Sequence, residues 1–236
     1  MWWAGSARAT RLWIGRSFAA ISGESPPGSV GESGFSDVTR AMTWLHEAVR
    51  ARKEAKRWTV NLGSGLARPY VFKRPQGLKS TQELHAVAEA IAAEEAGWSE
   101  AVRVWVSAPD VAGQCLGVAV VGSALAQIEA VAQEVGAQLV SVRPGWALLT
   151  DNASASTQTS STAARLLLAS DPDGLVALAD DGLRWLWGGA IDRLAADADG
   201  GAWRTRLAMR LQIQAPPVEF FLDGLTWVPA RESSPT

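Results

Sequence analysis

The segment from Cys115 to Trp146 constrains the fold more than any other, because it reads strand, helix, strand. Leu116 to Val121 is wholly apolar, as a strand buried on both faces must be. Leu125, Ile128, Ala132 and Val135 then share one helix face up to Gly136, a residue suited to ending a helix. Leu139 to Val142 resumes as a strand and runs into Arg143-Pro144-Gly145-Trp146. Such a β-α-β unit calls for an α/β fold with helices covering the sheet. Its strand ends, where a nucleotide loop or a catalytic carboxylate would be expected, hold Gly, Ala, Ser and Val.

Composition narrows the class without naming a chemistry. The 236 residues suffice for one large domain or two small ones with a real core. A net charge of −2 gives no overall field toward nucleic acid or acidic lipid. The single cysteine, Cys115, excludes an internal disulfide and a Cys-rich zinc site, and its apolar neighbours point to a buried, inert thiol. Arg8, Arg11 and Arg16 are spread through the N-terminus with no apolar run of the ~7–15 residues a secretion signal needs. Val111 to Ile128 carries no charge and approaches the length of a membrane span. It nevertheless contains Gln114, Gln127, Ser123 and three glycines, and its period changes midway, as for a strand followed by a helix. The expected setting is cytosolic, with no direct membrane span and any membrane link made through a partner.

Along the chain, Leu12 to Ile21 fits one strand or a tight hairpin, and Ser22 to Ser36 reads as a flexible loop rich in Gly, Ser, Pro and Glu. Val38, Met42, Leu45 and Val49 mark a helix over Asp37 to Lys56, with Ser36 as N-cap and a basic last turn. Trp58 to Leu62 and Pro69 to Phe72 read as strands around Gly63-Ser64-Gly65. Ser80 and Glu83 form a capping box for a helix that Gly97 ends. Val102 to Val106 alternates as a half-buried strand does. Past the Ser- and Thr-rich stretch 151–162 the pattern changes to short strands joined at Asp173-Gly174, Asp181-Gly182 and Asp223-Gly224, all hairpin signals. Ala190 to Ala198 suggests a short helix, and Trp203 to Ile213 alternates as a strand would. The domain reading is a mixed α/β lobe over 1–150, a linker over 151–162 and a β-rich second lobe over 163–236.

Each possible site has a plainer competitor. Gly63-Ser64-Gly65 could offer backbone amides to a phosphate, but neither a Walker motif nor a dinucleotide fingerprint surrounds it, and a hairpin turn explains it better. His46 and His85, the only histidines, sit mid-helix as polar face residues, so no metal site is expected. No GxSxG elbow surrounds a serine, and Leu12 to Ile21 lacks the carboxylate that two-metal nuclease chemistry needs at core strand ends. Arg50 to Arg57, joined by Arg68, Lys73, Arg74 and Lys79, could form a basic patch for nucleic acid or anionic lipid, although a solvated helix end is the simpler account. Twelve tryptophans supply bulk to an Ala-rich core, or an aromatic binding surface, with Trp2, Trp3, Trp203 and Trp227 as the candidate partner contacts.

The order of elements resembles the actin-like components of type IV pilus assembly and type II secretion, the PilM and GspL group. Leu12-Trp13-Ile14-Gly15-Arg16-Ser17 is similar to that group's opening strand and turn, Leu78 to Glu95 to its next helix, and Val118 to Trp146 to its strand-helix-strand unit. The resemblance covers about two thirds of the chain and implies an actin-like, ribonuclease H-like fold of mixed sheets with flanking helices. ATP-binding members carry an acid in the first strand turn, where this chain has Gly15-Arg16-Ser17. The implied role is therefore a scaffold without nucleotide hydrolysis or cofactor, on the cytoplasmic face of the inner membrane. Its partners would be an inner-membrane pilus or secretion platform protein and an assembly ATPase. The alternatives are an ATP-binding member of the fold, using Ser17, Gly63 and Ser64 around phosphate, and a nucleic-acid-binding module using the Arg50 to Arg57 helix end.

Overall fold

The computed structural model describes residues 9–24, 27–52, 56–95, 97–150, 164–191, 202–214, 217–223 and 225–229, and among them are thirteen strands in three sheets and four helices. The first sheet has the order β3-β2-β1-β4-β8, with β1 Thr10–Ile14, β2 Phe18–Glu24, β3 Pro27–Ser33, β4 Arg57–Leu62 and β8 Gln138–Pro144. A hairpin pairs β1 with β2, while β4 lies parallel to both β1 and β8. A second sheet, β5-β7-β6, is fully antiparallel and comprises β5 Ala67–Lys73, β6 Val102–Val106 and β7 Gln114–Val121. The third is built from β9 Arg165–Asp171, β10 Gly174–Asp180, β11 Trp185–Ile191, β12 Val218–Asp223 and β13 Thr226–Pro229, in the order β11-β10-β9-β12-β13.

Helices cover the sheets through apolar faces set by their sequence period. Met42, Leu45 and Val49 of α1 (Val38–Arg52) and Ala124, Ile128 and Ala132 of α3 (Gly122–Glu134) join Leu12, Ile14, Val60 and Leu62 in the main core. Leu84, Ala88 and Ala92 of α2 (Thr81–Glu95) close a smaller core over the second sheet with Tyr70, Phe72, Val104 and Cys115. The thiol of Cys115 is fully buried, and burial pushes its pKa up. Leu167, Ala169, Val176 and Leu178 of the third sheet belong to the main core, so that sheet contributes one face to it. Its other face packs against α4, Ala202–Arg210.

Several expectations are corrected here. The strand-helix-strand segment does not form a single parallel unit: β7 belongs to the second sheet and β8 to the first, so α3 bridges two sheets. Gly63-Ser64-Gly65 turns the chain, yet it makes no hairpin, because β4 and β5 also lie in different sheets. Pro27–Ser33, inside the expected loop, pairs as edge strand β3; the ladder needs only backbone, and Gly31 lets β3 lie close to Ala20, where a Cβ would come within 2.8 Å of Ala20 Cβ. Asp37 caps α1 in place of Ser36, its Oδ1 accepting from Arg40 N at 3.0 Å. Ser80 Oγ accepts from Glu83 N at 3.1 Å, and Gly97 takes a left-handed φ of 62° after α2, both as expected.

In the C-terminal part, Trp203–Arg210 is helical rather than extended. Trp203, Leu207, Ala208 and Leu211 meet the third sheet at i, i+4, i+5 and i+8, a spacing that also alternates in places. Ala190 and Ile191 end β11, and the rest of the short helix expected over Ala190 to Ala198 lies outside the described residues, as does the 151–162 stretch.

Candidate functional site: carboxylates in a backbone cradle

Three loops meet between the first and third sheets. The β1–β2 turn contributes Gly15-Arg16-Ser17, the β4–β5 turn contributes Gly63-Ser64-Gly65, and the β9–β10 hairpin contributes Asp171-Pro172-Asp173-Gly174. Each of the first two follows a strand buried in the main core, so their backbones are held rigidly. Gly63 N donates to Ile14 O at 2.8 Å, which ties the two turns together, and Gly15 N donates to Phe18 O at 2.8 Å, which closes the first.

The carboxylate of Asp173 enters this pair of turns. Its Oδ2 accepts from Arg16 N at 2.7 Å, and its Oδ1 accepts from Ser17 N at 2.8 Å and Ser17 Oγ at 2.7 Å. Successive backbone N–H groups aimed at one point form a nest that favours an anion, and ionic hydrogen bonds of this length are the strong ones. Glycines make the approach possible. A Cβ on Gly65 would stand 2.5 Å from Asp173 Oδ2 and one on Gly63 would stand 3.1 Å away, while one on Gly15 would collide with both Asp173 Oδ2 and the Phe18 ring.

Asp171, two residues earlier, makes a second junction. Its Oδ2 accepts from Ser64 N at 2.7 Å and its Oδ1 from Ser64 Oγ at 2.7 Å, with Asp173 N adding a bond at 2.9 Å and Gly174 N one at 3.2 Å. This carboxyl is buried, and burial, reinforced by the Asp173 carboxylate, pushes its pKa up to about 6 against the hydrogen bonds from Ser64. Two further bonds join the first and last parts of the chain: Trp185 N donates to Asp110 Oδ2 at 2.8 Å, and Trp227 Nε1 to Gly145 O at 3.2 Å.

On the rim, the Arg16 side chain turns away from the cradle. Its Nε donates to Gly65 O at 2.9 Å and its Nη2 to Glu100 at 2.7 Å, and its guanidinium lies 5.7 Å from the centre of the Trp98 ring. Arg68 lies over the same ring at 4.7 Å and is half-buried.

The residues named from sequence for phosphate contact, Ser17, Gly63 and Ser64, do come together, but two aspartates fill the space between them. Sequence reasoning missed both, because Asp173-Gly174 also satisfies a hairpin turn; the available signal was a second acid two residues before it. Of the tryptophans named as partner contacts, Trp203 is half-buried against the third sheet, and Trp227 packs edge-on to Trp13 with ring centres 5.9 Å apart. Trp2 and Trp3 lie outside the described residues. His46 Nε2 lies 3.0 Å from Glu134 Oε1, linking α1 to α3. Among the described residues no three His, Cys, Asp or Glu side chains gather as a metal site requires, and no helix is long and apolar enough to cross a membrane.

The hairpin-opened mixed sheet, its flanking helices and the second sheet system facing it across paired turns define the actin-like fold. A Bacteroides thetaiotaomicron protein described as having an actin-like ATPase fold and unknown function superposes with a TM-score of 0.58 at 11% identity, over 93% of this chain and 84% of that one. The chain from a PilM–PilN type IV pilus biogenesis complex gives 0.56 at 14% identity, over 93% and 82%. The cytoplasmic domain of EpsL, an inner-membrane component of the Vibrio cholerae type II secretion system, gives 0.48 at 13%, over 95% and 87%. No family model matches the sequence, and no curated protein matches it. At these identities the first two superpositions show a shared fold, the one that the resemblance read from the sequence implies.

Proposed function

We propose that this chain is a non-enzymatic scaffold of a type IV pilus or type II secretion assembly platform, working on the cytoplasmic face of the inner membrane. The observation that carries the reading is the Asp173 carboxylate, which occupies the backbone donors that a nucleotide's phosphates would need. A phosphate-binding enzyme that used these turns would need that space, whereas a protein that only presents surfaces does not. The likeness of fold to a chain from the PilM–PilN type IV pilus biogenesis complex supports a platform role; the proposed partners are an inner-membrane platform protein and an assembly ATPase. Asp173 stands where the ATP-binding alternative would place phosphate, and among the described residues no observation favours the nucleic-acid alternative.

Two measurements test the proposal. A tagged copy expressed with its genomic neighbours should co-purify with a small inner-membrane protein encoded beside it. The purified chain should give neither heat nor a thermal shift with Mg-ATP and should release no phosphate from it. Turnover of Mg-ATP, or a lone monomer that captures no neighbour, would overturn the reading.

A further inference from the structure

The cradle has a property that a simple turn contact does not need. Arg16 N, Ser17 N and Ser17 Oγ converge on one carboxylate from a chain position more than 150 residues away, while Gly15, Gly63 and Gly65 keep side-chain carbon out of the same small space. Gly15 and Gly65 show no left-handed φ, so backbone conformation does not demand glycine there; closeness to the anion does at Gly65, and closeness to both the Phe18 ring and the anion does at Gly15. We infer that Gly15-Arg16-Ser17 and Gly63-Ser64-Gly65 form an oxyanion site whose resident ligand is the chain's own Asp173, and that this internal occupant latches the β9–β10 hairpin while excluding external phosphate.

The inference deepens the scaffold reading and rests on it, since it explains how the fold is kept from taking a phosphate. The ligand class follows from the donors. Two adjacent amides and a hydroxyl at 2.7–2.8 Å from two oxygens suit any tetrahedral or planar oxyanion of that size. An internal carboxylate wins because it is tethered, which gives it a high effective concentration that free phosphate must exceed. Its partner Asp171 holds the hairpin through Ser64 independently, so the hairpin keeps an anchor when the Asp173 side chain is removed.

The experiment uses inorganic phosphate as probe and the backbone amide resonances of Arg16 and Ser17 in labelled full-length protein as readout. In the wild-type chain these resonances should stay fixed as phosphate replaces chloride at constant ionic strength. In Asp173→Ala they should shift and saturate at millimolar phosphate. Adding Gly65→Ala to that variant should abolish the shift, because the new methyl points into the vacated oxygen position. Asp173→Ser serves the same purpose if the Ala variant does not fold. A folded Asp173 variant that ignores phosphate overturns the inference, as does a wild-type chain that binds it equally well. Failure of both variants to fold, with Ser17→Ala folding normally, also overturns it by making Asp173 a fold determinant. Mg-ATP turnover by the wild-type chain with Arg16 and Ser17 resonances unmoved would sink the scaffold reading alone.

Discussion

Asp171 and Asp173 are two residues apart and meet opposite environments. Asp173 reaches into a half-exposed junction and satisfies three donors, whereas Asp171 is buried against Ser64 beside another carboxylate. Raising a carboxyl's pKa on folding means that the folded state binds a proton more readily than the unfolded one. Between the unfolded value of 3.8 and the folded value of about 6, acidification therefore adds stability, and that gain is lost as pH rises through 6. The full swing from this group is at most about 3 kcal/mol. Urea unfolding from pH 7.5 to 4.5 should show the wild type gaining stability below pH 6 relative to Asp171→Asn, which has no such proton to take up. Parallel pH profiles for the two proteins would refute this assignment of the proton to Asp171. The Asn variant's offset at neutral pH is a separate matter, since its amide NH₂ must face Ser64 N or Ser64 Oγ.

At the scale of elements, the helix α4 shows how local pattern and tertiary demand can diverge. Its length of 9 residues is short enough for Trp203, Leu207 and Leu211 to satisfy a period of four and for the arginines between them to suggest alternation. The end of the helix settles the matter. Ile213 N donates to Ala208 O at 2.8 Å and Gln212 N to Met209 O at 3.1 Å, with Gln212 itself at φ 58°, the closing pattern usually given to glycine. Replacing Gln212 with Gly should remove left-handed strain of about 1 kcal/mol, partly offset by a more flexible unfolded chain. Thermal unfolding of Gln212→Gly should rise by a degree or two; a fall would mean that the Gln side chain matters more than its backbone. Elements whose burial period was clear, such as Leu116 to Val121, Val102 to Val106 and the Leu84 helix, were legible from sequence because one periodicity fitted them. Edge strand β3 was not, because backbone pairing leaves no apolar signature. The site divided the same way: the Gly and Ser turns were visible locally, whereas their occupant comes from residue 173, and convergence over that separation has no local pattern.

For the whole molecule, the third sheet is not an appendage to the first two. Leu222, Leu225 and Trp227 cover Trp13, Phe18 and Ala20 on the face of the first sheet away from α1, and Leu167, Val176 and Leu178 enter the main core. All ten described tryptophans are buried or half-buried, so their abundance is explained by filling these shared spaces among small residues. Polar links reinforce the same boundary at Asp110, Gly145, Asp171 and Asp173. A core shared across a boundary makes either side's burial conditional on the other, which is the physical basis of cooperative unfolding. Calorimetry of the wild-type chain should accordingly give one transition with equal calorimetric and van't Hoff enthalpies. Trp227→Ala removes an edge contact to Trp13, a donor to Gly145 O and part of the cover over the first sheet. Because the indole is only half-buried, the loss should be about 2–4 kcal/mol, at or below the range for truncating a core aromatic. If the parts fold as one, that loss moves the entire endotherm to lower temperature without changing its shape. An endotherm that splits, or of which only one portion shifts, would show that the sheets unfold separately and that the buried contacts between them are energetically minor.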